Sequence, residues 1–546
     1  MLQRCWLLLL LIPCGRMSLA KSVPSAEVPE TGGRVILVLP FDNRSGQTNL
    51  GWVGNSFPDT LNQRLTSAGF LTISRDDRQY ALDHLGLPVD FRPSRATTIR
   101  IAETLDADFV IVGNYTVGNG RIMVQAQVLD VNKLRLSTPL TDSSELPRLF
   151  DVENAIAWKV ARQIDPHFSV AEQTFLASSG SIQLSAFEDY IRGTDATTPQ
   201  ERIKRLQMAV QSTPNYTAAL LALGKAQYTE REYDQAAATL AKIQPTDRRA
   251  LEAGFYLGLA RFNSAKYAEA ESAFAFVASR LPLPEVVNNQ GVASSRQGHD
   301  AAALFQRAST ADPSDPDYHY NLAVALLRRG DFAGAQREVD LTLKLRPADT
   351  EATALKTRIG SGRSIAASTK PGTPATIGSA SDQTGTQDFD PLERIRRTYS
   401  EASFRQAAFQ LDQMRAMRMA TLPPAEQAAQ YTQLGQDYLA QGLIPEAERE
   451  FQAAIAADST NAGAHAGLAQ VRERSGNAED ARREATTSIN LHPNVIAYLV
   501  LARIELQAKR MPESATEVSK ALQLEPGNTA AQGMRQALQA RGQSLP

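Results

Sequence analysis

Tyr318–Ala335 reads YHYNLAVALLRRGDFAGA, and Tyr431–Ala447 reads YTQLGQDYLAQGLIPEA. In each stretch a small residue, Ala323 or Gly435, is followed twelve residues later by another, Ala335 or Ala447. Working outward, the first anchor recurs at Gly224, Gly258, Gly291 and Ala323, then at Gly435, Ala469 and Ala502, at spacings of 34, 33 and 32 and then 34 and 33 residues. The second recurs as Ala236, Ala270, Ala303, Ala335, Ala447, Ala481 and Ser514. Small residues at both places let two antiparallel helices approach closely, and larger ones such as Tyr267, Phe274, Tyr438 and Phe451 fill between. Proline stands twenty-four residues after an anchor at Pro282, Pro347, Pro493 and Pro526, where it stops a second helix. A period near 34 is that of stacked helix–turn–helix units, which build binding surfaces more often than active sites.

This pattern resembles the tetratricopeptide repeat. Two arrays are expected, over residues 185–357 and 390–542, parted by a flexible linker over 358–389 whose core, Ser361–Gln387, is rich in Ser, Thr, Gly, Ala and Pro. Some units depart from the pattern. The Gly291 unit is two residues short with Pro313 early, and the Gly224 unit has Pro245 three residues early. Ala186–Thr213 reads as a degenerate opening repeat, Asp390–Ala420 as a partial one, and Thr529–Gly542 as a closing helix.

In such repeats the first helix of each unit faces a concave groove. Counting along those helices puts Lys225, Tyr228, Phe255, Phe262, Asn288, Asn289, Arg296, Tyr320, Asn321 and Arg328 near the first groove. Asn289 and Asn321 each stand two residues before their anchors, where peptide-binding relatives often carry Asn. A side-chain amide can donate to and accept from an extended backbone at once, and arginine can pair with a carboxylate. The competing reading makes the aromatics inter-helix packing and the polar groups solvated surface. The second groove offers Gln433, Gln436, Gln470, Arg474 and Arg503, a blander set expected to be solvated.

Upstream, residues 33–168 read differently. Arg34–Leu39 is a continuous aliphatic run ending at Pro40, suited to a strand buried on both faces. Val53, Phe57, Leu61 and Leu65 recur every four residues within Leu50–Ala68, a helix closed by Gly69, although Pro58 fits only a first turn or a kink. Phe70–Ile73 reads as a strand and Arg95–Leu105 as a helix. Asp108–Val117 and Arg121–Leu129 form a hairpin whose turn carries Asn119-Gly120, and Leu149–Ile164 is a closing helix.

ILVLPFDNRSG (Ile36–Gly46) and DADFVIVGNYTVGNGRIMVQAQVLDV (Asp106–Val131) resemble the two signatures of TolB N-terminal-like domains, related to the FlgO-like group. The resemblance covers about a quarter of the chain. It implies an α/β domain in a bacterial envelope protein, often joined to helical repeats, and no settled chemistry. The expected fold is therefore an α/β N-terminal domain plus an all-α tetratricopeptide-repeat solenoid in two arrays.

Residues 1–20 carry Arg4, the apolar run Trp6–Pro13 and Ser18-Leu19-Ala20, the layout of a cleaved secretory signal. Both cysteines, Cys5 and Cys14, lie inside it, and Leu11-Ile12-Pro13 argues against lipidation of Cys14. An exported, periplasmic or envelope product is expected, without stable membrane insertion after cleavage. Of 546 residues, 43% are hydrophobic and 21% charged, and the net charge is −2, so nothing overall attracts nucleic acid.

No HExxH motif or GxSxG elbow occurs, and His84, His167, His299, His319, His465 and His492 share no metal-ligand spacing. Gly113–Gly120 lies in a hairpin and lacks the strand-to-helix context of a phosphate loop. Asp42, Asn43 and Ser45 read as turn formers after the first strand, although α/β sheets often bind ligands there. No catalytic, cofactor or metal residue is assigned. The leading expectation is an exported adaptor that binds protein or peptide in its repeat grooves while the α/β domain docks to an envelope component. The alternative is a small-ligand sensor whose repeats relay the state of the α/β domain. Oligomeric state is not legible.

Overall fold

The computed structural model describes residues 34–88, 94–177, 182–361, 391–398, 410 and 413–546. The signal over 1–20, with Cys5 and Cys14, and nearly all of the linker over 358–389 lie outside the described residues.

The aliphatic run near the N-terminus becomes strand β1 (Val35–Val38). With β2 (Asp42–Asn43), β3 (Leu71–Thr72), β4 (Phe109–Gly118), β5 (Arg121–Asp130), β6 (Arg135–Leu136) and β7 (Leu140–Glu145) it forms one mixed sheet of order β3-β1-β4-β5-β6, with β2 against β4 and β7 against β5. β1 pairs in parallel with both β3 and β4, while β4 and β5 are antiparallel. Register ends at Gly118↔Arg121, and Asn119 and Gly120 turn the chain with φ of 50° and 75°. Positive φ at both central residues is what a two-residue hairpin needs, and Asn-Gly tolerates it.

β1 is buried on both faces because helices cover both. Ile36 and Val38 pack with Phe57, Leu61 and Ile156, from helices Gly51–Ser67 and Leu149–Ile164. Leu37 and Leu39 pack with Ala81, Leu82 and Ile101, from helices Arg75–His84 and Arg95–Thr104. The helix Arg75–His84 is an addition to the sequence reading.

Pro58 stands inside helix Gly51–Ser67, beyond its first turn. Its ring has no N–H for the Gly54 carbonyl. That carbonyl instead accepts the Phe41 backbone N–H at 3.0 Å. The proline thus frees an acceptor that ties the helix to the chain leaving β1. Gly54 permits the approach, since a Cβ there would lie 2.3 Å from the Phe41 oxygen.

From Leu184 onward the described chain is helical apart from turns and residues 391–398. The first array runs in antiparallel pairs from Leu184–Asp195 with Pro199–Ser212 to Pro316–Arg328 with Phe332–Leu345, then Thr350–Gly360. The second runs from Pro424–Ala440 with Ile444–Ala457 to Met511–Leu524, then Thr529–Gln539. Each anchor meets a partner on the second helix, and their volumes trade off. Gly258 and Gly435 face Phe274 and Phe451, whose rings a Cβ would meet at 2.7 Å. The alanine anchors Ala323 and Ala502 share clusters with the smaller Val339 and Val518. Gly291 meets Phe305 fourteen residues on, where Gly258 and Gly435 meet theirs at sixteen, which is the two-residue deficit of that unit.

The first array shares an apolar core with the α/β domain, where Phe187 meets Trp52 and Phe150, and polar side chains join all three parts. Arg248 of the first array reaches Ser67 at 3.0 Å and Glu446 of the second at 2.8 Å. Glu448, whose side chain is fully buried, accepts the Ala171 backbone N–H at 3.0 Å and pairs with Arg472 at 2.8 Å.

One device recurs in both arrays. His319 sets Nδ1 2.7 Å from Glu338 and Nε2 3.1 Å from the Pro313 carbonyl. His465 sets Nδ1 2.8 Å from Glu484 and Nε2 3.1 Å from the Ser459 carbonyl. Both ring nitrogens face acceptors, so the doubly protonated ring satisfies both. The hydrogen bond to the carboxylate raises each histidine above its ordinary value, against the opposing pull of burial. A raised folded-state pKa gives stability that is fully present below about 6.5, the unfolded value, and is lost as pH rises through the folded value. Thermal midpoints measured upward from pH 5.5 should therefore fall as pH rises, and the His319→Gln, His465→Gln double variant should flatten that fall. An equally steep profile in the variant would remove these histidines as its source.

Candidate functional site

Residues 391–398 form neither helix nor strand and cross the first array. Helices Pro284–Ser295 and Pro316–Arg328 present three asparagines to them, each with no exposure. The Asn321 amide donates to the Arg394 carbonyl at 2.8 Å, and its oxygen accepts the Arg394 N–H at 2.7 Å. One unit earlier, Asn289 donates to the Arg396 carbonyl at 2.7 Å and accepts the Arg396 N–H at 2.8 Å. Asn288 donates to the Arg394 carbonyl at 3.0 Å and accepts from Asn321 at 2.7 Å, which fixes the orientation of the set. Each of Asn289 and Asn321 therefore contacts one residue's backbone as a neighbouring strand would, and the two contacts fall two residues apart.

Side chains of the crossing segment meet charged surroundings at 393, 394 and 396 and apolar ones at 395. The Glu393 carboxylate is fully buried and meets Ser295 and Arg328, with Arg296 Nε 3.9 Å away. The Arg394 guanidinium lies 3.7 Å over the Tyr320 ring and pairs with Asp349 at 2.7 Å through both terminal nitrogens. Asp317 at 3.0 Å and Glu351 at 2.9 Å complete its surround. Ile395 packs beside Phe262 and Val292. Arg396 pairs with Asp315 and lies 5.3 Å over Tyr318. Burial pushes the Asp349 carboxyl up, but the bonds from Arg394 and from the Ala352 N–H hold it below the ordinary carboxylate value.

Of the ten groove residues expected from the sequence, Asn288, Asn289, Asn321, Arg296, Arg328, Tyr320 and Phe262 gather around this segment. Three do not. Phe255 is 1% exposed and packs on Phe274, because it stands three residues before Gly258 and shares the inward face of its helix. Tyr228 packs on Tyr233 and Tyr256 with centroids 5.6 and 6.0 Å away. Lys225 pairs with Glu252 at 2.9 Å and with Asp76 of the α/β domain at 3.4 Å, so it joins units. The sequence reading missed Ser295, Asp317 and Asp349. Asp349 also caps helix Thr350–Gly360, and Asp315 caps Pro316–Arg328, so the acids that receive the arginines begin as helix caps one unit apart.

In the second array Arg503 pairs with Glu473 through two 2.6 Å bonds, and Arg474 donates to the Leu439 carbonyl at 3.0 Å, so these two are structural rather than free surface. Asn43 accepts the Ser45 N–H at 2.9 Å and donates to the Gln47 carbonyl at 2.8 Å, which is turn chemistry. Among the described residues no group of three or more potential metal ligands gathers, and no helix is long and apolar enough to cross a membrane.

A family model described as tetratricopeptide repeat matches residues 293–359, and a second of that description matches 432–487 and 468–529. The helix pairs within 293–359 and 432–529 are tetratricopeptide repeats. The chain is mostly a tetratricopeptide-repeat solenoid with a smaller N-terminal region built on a mixed sheet. Solved structures similar to parts of it include MamA from Desulfovibrio magneticus RS-1, at 17% identity and TM-score 0.29 over 31% of this chain and 99% of that one. Another is YrrB, described as a TPR protein with an unusual peptide-binding site, at 15% identity and TM-score 0.28 over 37% and 98%. The LpoB C-terminal domain from Escherichia coli is similar at 23% identity and TM-score 0.19 over 21% and 83%. Among curated proteins none matches the chain. The tetratricopeptide repeats support a protein-binding scaffold.

Proposed function

We propose that this chain is an exported adaptor whose first repeat array holds an extended segment of a partner protein, with no chemistry performed. The observation that carries the reading is the paired amide contact, in which Asn289 and Asn321 each bond both the N–H and the C=O of one residue, two residues apart. Such contacts depend on backbone conformation and leave side-chain choice to the surrounding pockets. The signal-like residues 1–20 motivate export, and the two signatures in residues 33–168 motivate docking of the α/β domain to an envelope component.

Affinity capture from a native envelope extract tests the binding, comparing the mature chain with its Asn289→Ala, Asn321→Ala double variant. The expected result is a protein retained by the first and lost by the second, with both equally folded. Equal capture by both would move the site away from the first array. Mass measurement of the product recovered from the periplasm tests export, which requires a chain beginning at Lys21.

A second reading makes the α/β domain a small-ligand sensor. A cleft of about 1780 Å³ between the α/β domain and both arrays favours it, because the chain leaving parallel strand β1 at Leu39, Pro40 and Asp42 lines that cleft. Ligand-induced thermal stabilisation would separate the two.

A further inference from the structure

Residues 391–396 occupy the groove that a partner would need. Their hold is made almost wholly by side chains of the array. Of the segment the asparagines contact backbone only, so any extended chain with N–H groups at those two positions satisfies them. Of the segment's apolar side chains only Pro391 is buried, since Leu392 is 46% exposed and Ile395 is only half-buried. Its fit is also incomplete. Glu393 Oε2, Arg296 Nε and Arg396 Nε are buried without a hydrogen-bond partner, and the first two stand 3.9 Å apart. Unpaired buried polar atoms cost free energy, which weakens the array's hold on this occupant.

The pockets also specify what fits. A fully buried carboxylate site is framed by Arg328, Arg296 and Ser295. Beside it an acidic cage on the Tyr320 ring takes a guanidinium. An apolar patch at Phe262 and Val292 follows, then a second acidic site at Asp315 and Asp317.

We infer that residues 391–396 are a built-in competitor for the first groove, and that the occupant admitted in their place is an extended peptide carrying carboxylate, arginine, aliphatic and arginine at four successive positions. This rests on the groove reading above and adds to it the sequence class of the partner and the step that precedes its binding. A tethered occupant acts at an effective concentration in the millimolar range, so a free peptide with an intrinsic Kd of about 100 μM would bind roughly tenfold more weakly while the tethered one is in place.

The test titrates a fluorescein-labelled peptide, Pro-Leu-Glu-Arg-Ile-Arg-Arg-Thr, into three full-length proteins. These are the native chain, a released variant (Glu393→Gln, Arg394→Ala), and the released variant with Asn289→Ala and Asn321→Ala added. The released variant is expected to bind about tenfold more tightly than the native chain, and the asparagine replacements to abolish that binding. A scrambled peptide of equal composition should bind neither. Equal affinity in the native and released chains would overturn the competitor while leaving the groove standing, provided the asparagine variant still loses binding. No binding by either chain up to millimolar peptide would overturn the groove itself. Equal binding of the scrambled peptide would overturn the four-position pattern. Circular dichroism melts verify folding, and Arg394→Ala alone serves if the double release misfolds.

Discussion

Replacing Arg328 with alanine is expected to expel residues 391–396 from the first array. The Glu393 side chain has no exposure, and Arg328 is the cation in contact with it. Arg296 stands 3.9 Å away and makes no hydrogen bond to it. Removing one partner of a buried ion pair strands the other's charge, at a cost of about 3–5 kcal/mol. A short segment held by a few polar contacts has little reserve against that. The backbone N–H groups of Arg394 and Arg396 report the event, because each is donated to an asparagine oxygen. Hydrogen exchange at those amides should accelerate by two orders of magnitude or more in the variant, since each tenfold change in an equilibrium corresponds to about 1.4 kcal/mol. Glu393→Gln should accelerate it less, since it removes the stranded charge along with the pair. Unchanged exchange at both amides in Arg328→Ala would sink the assignment of Glu393 as the anchor.

Phe451→Ala is expected to give the largest loss of stability in the second array. The ring sits between two helices that each offer it a glycine. A Cβ on Gly435 would lie 2.7 Å from it, and one on Gly467 2.2 Å. Such a ring has no room to be replaced by neighbours moving inward from one side only. Truncation should cost about 3–5 kcal/mol, the transfer free energy of the ring plus the cavity it leaves. Repeats couple chiefly to their neighbours, so the loss should appear as earlier melting of residues 424–491 with the first array little changed. Denaturant unfolding followed by exchange within each array would measure this. A loss below about 1 kcal/mol would mean the helices can close over the gap. The opposite change, Gly467→Ala, forces a methyl into the ring and should cost about 1–3 kcal/mol.

Much of the architecture was legible because it repeats or because burial is one-sided. The anchors at Gly258, Gly291 and Gly435 announce themselves by spacing, and their large partners Phe274, Phe305 and Phe451 follow from the volume that a glycine leaves. β1 was legible because both of its faces are covered, which makes an unbroken aliphatic run. Helix Arg75–His84 was not, because it buries only Ala81 and Leu82 and so carries no apolar stripe. Its one local signal was the Ser74 cap, which accepts the Asp77 N–H at 3.0 Å. β7 was missed for a related reason: LTDSSE is a polar edge strand with half of its residues exposed.

At the groove, the asparagines and arginines were legible from helical counting, whereas their occupant was not. Asp390–Ala420 reads as a partial repeat, yet residues 391–398 have no helix, and 399–409 lie outside the described residues. An extended segment has no periodicity of its own when its partners are 43 to 107 residues away in sequence. Asp349 was overlooked because one side chain serves two purposes, capping a helix and clasping Arg394.

The amide pairs carry a consequence for which sequences can enter. An extended chain points its N–H groups alternately to opposite sides. Asn321 and Asn289 take the N–H of positions 394 and 396, and position 395 between them faces away. Proline, which has no N–H, is therefore barred at two places two residues apart and tolerated at the place between them. Pro391, of the same parity as 395, already obeys this. For the peptide proposed above, the expected consequence is a parity filter on imino acids: moving its single proline by one residue, with composition and charge unchanged, should switch it between admitted and refused.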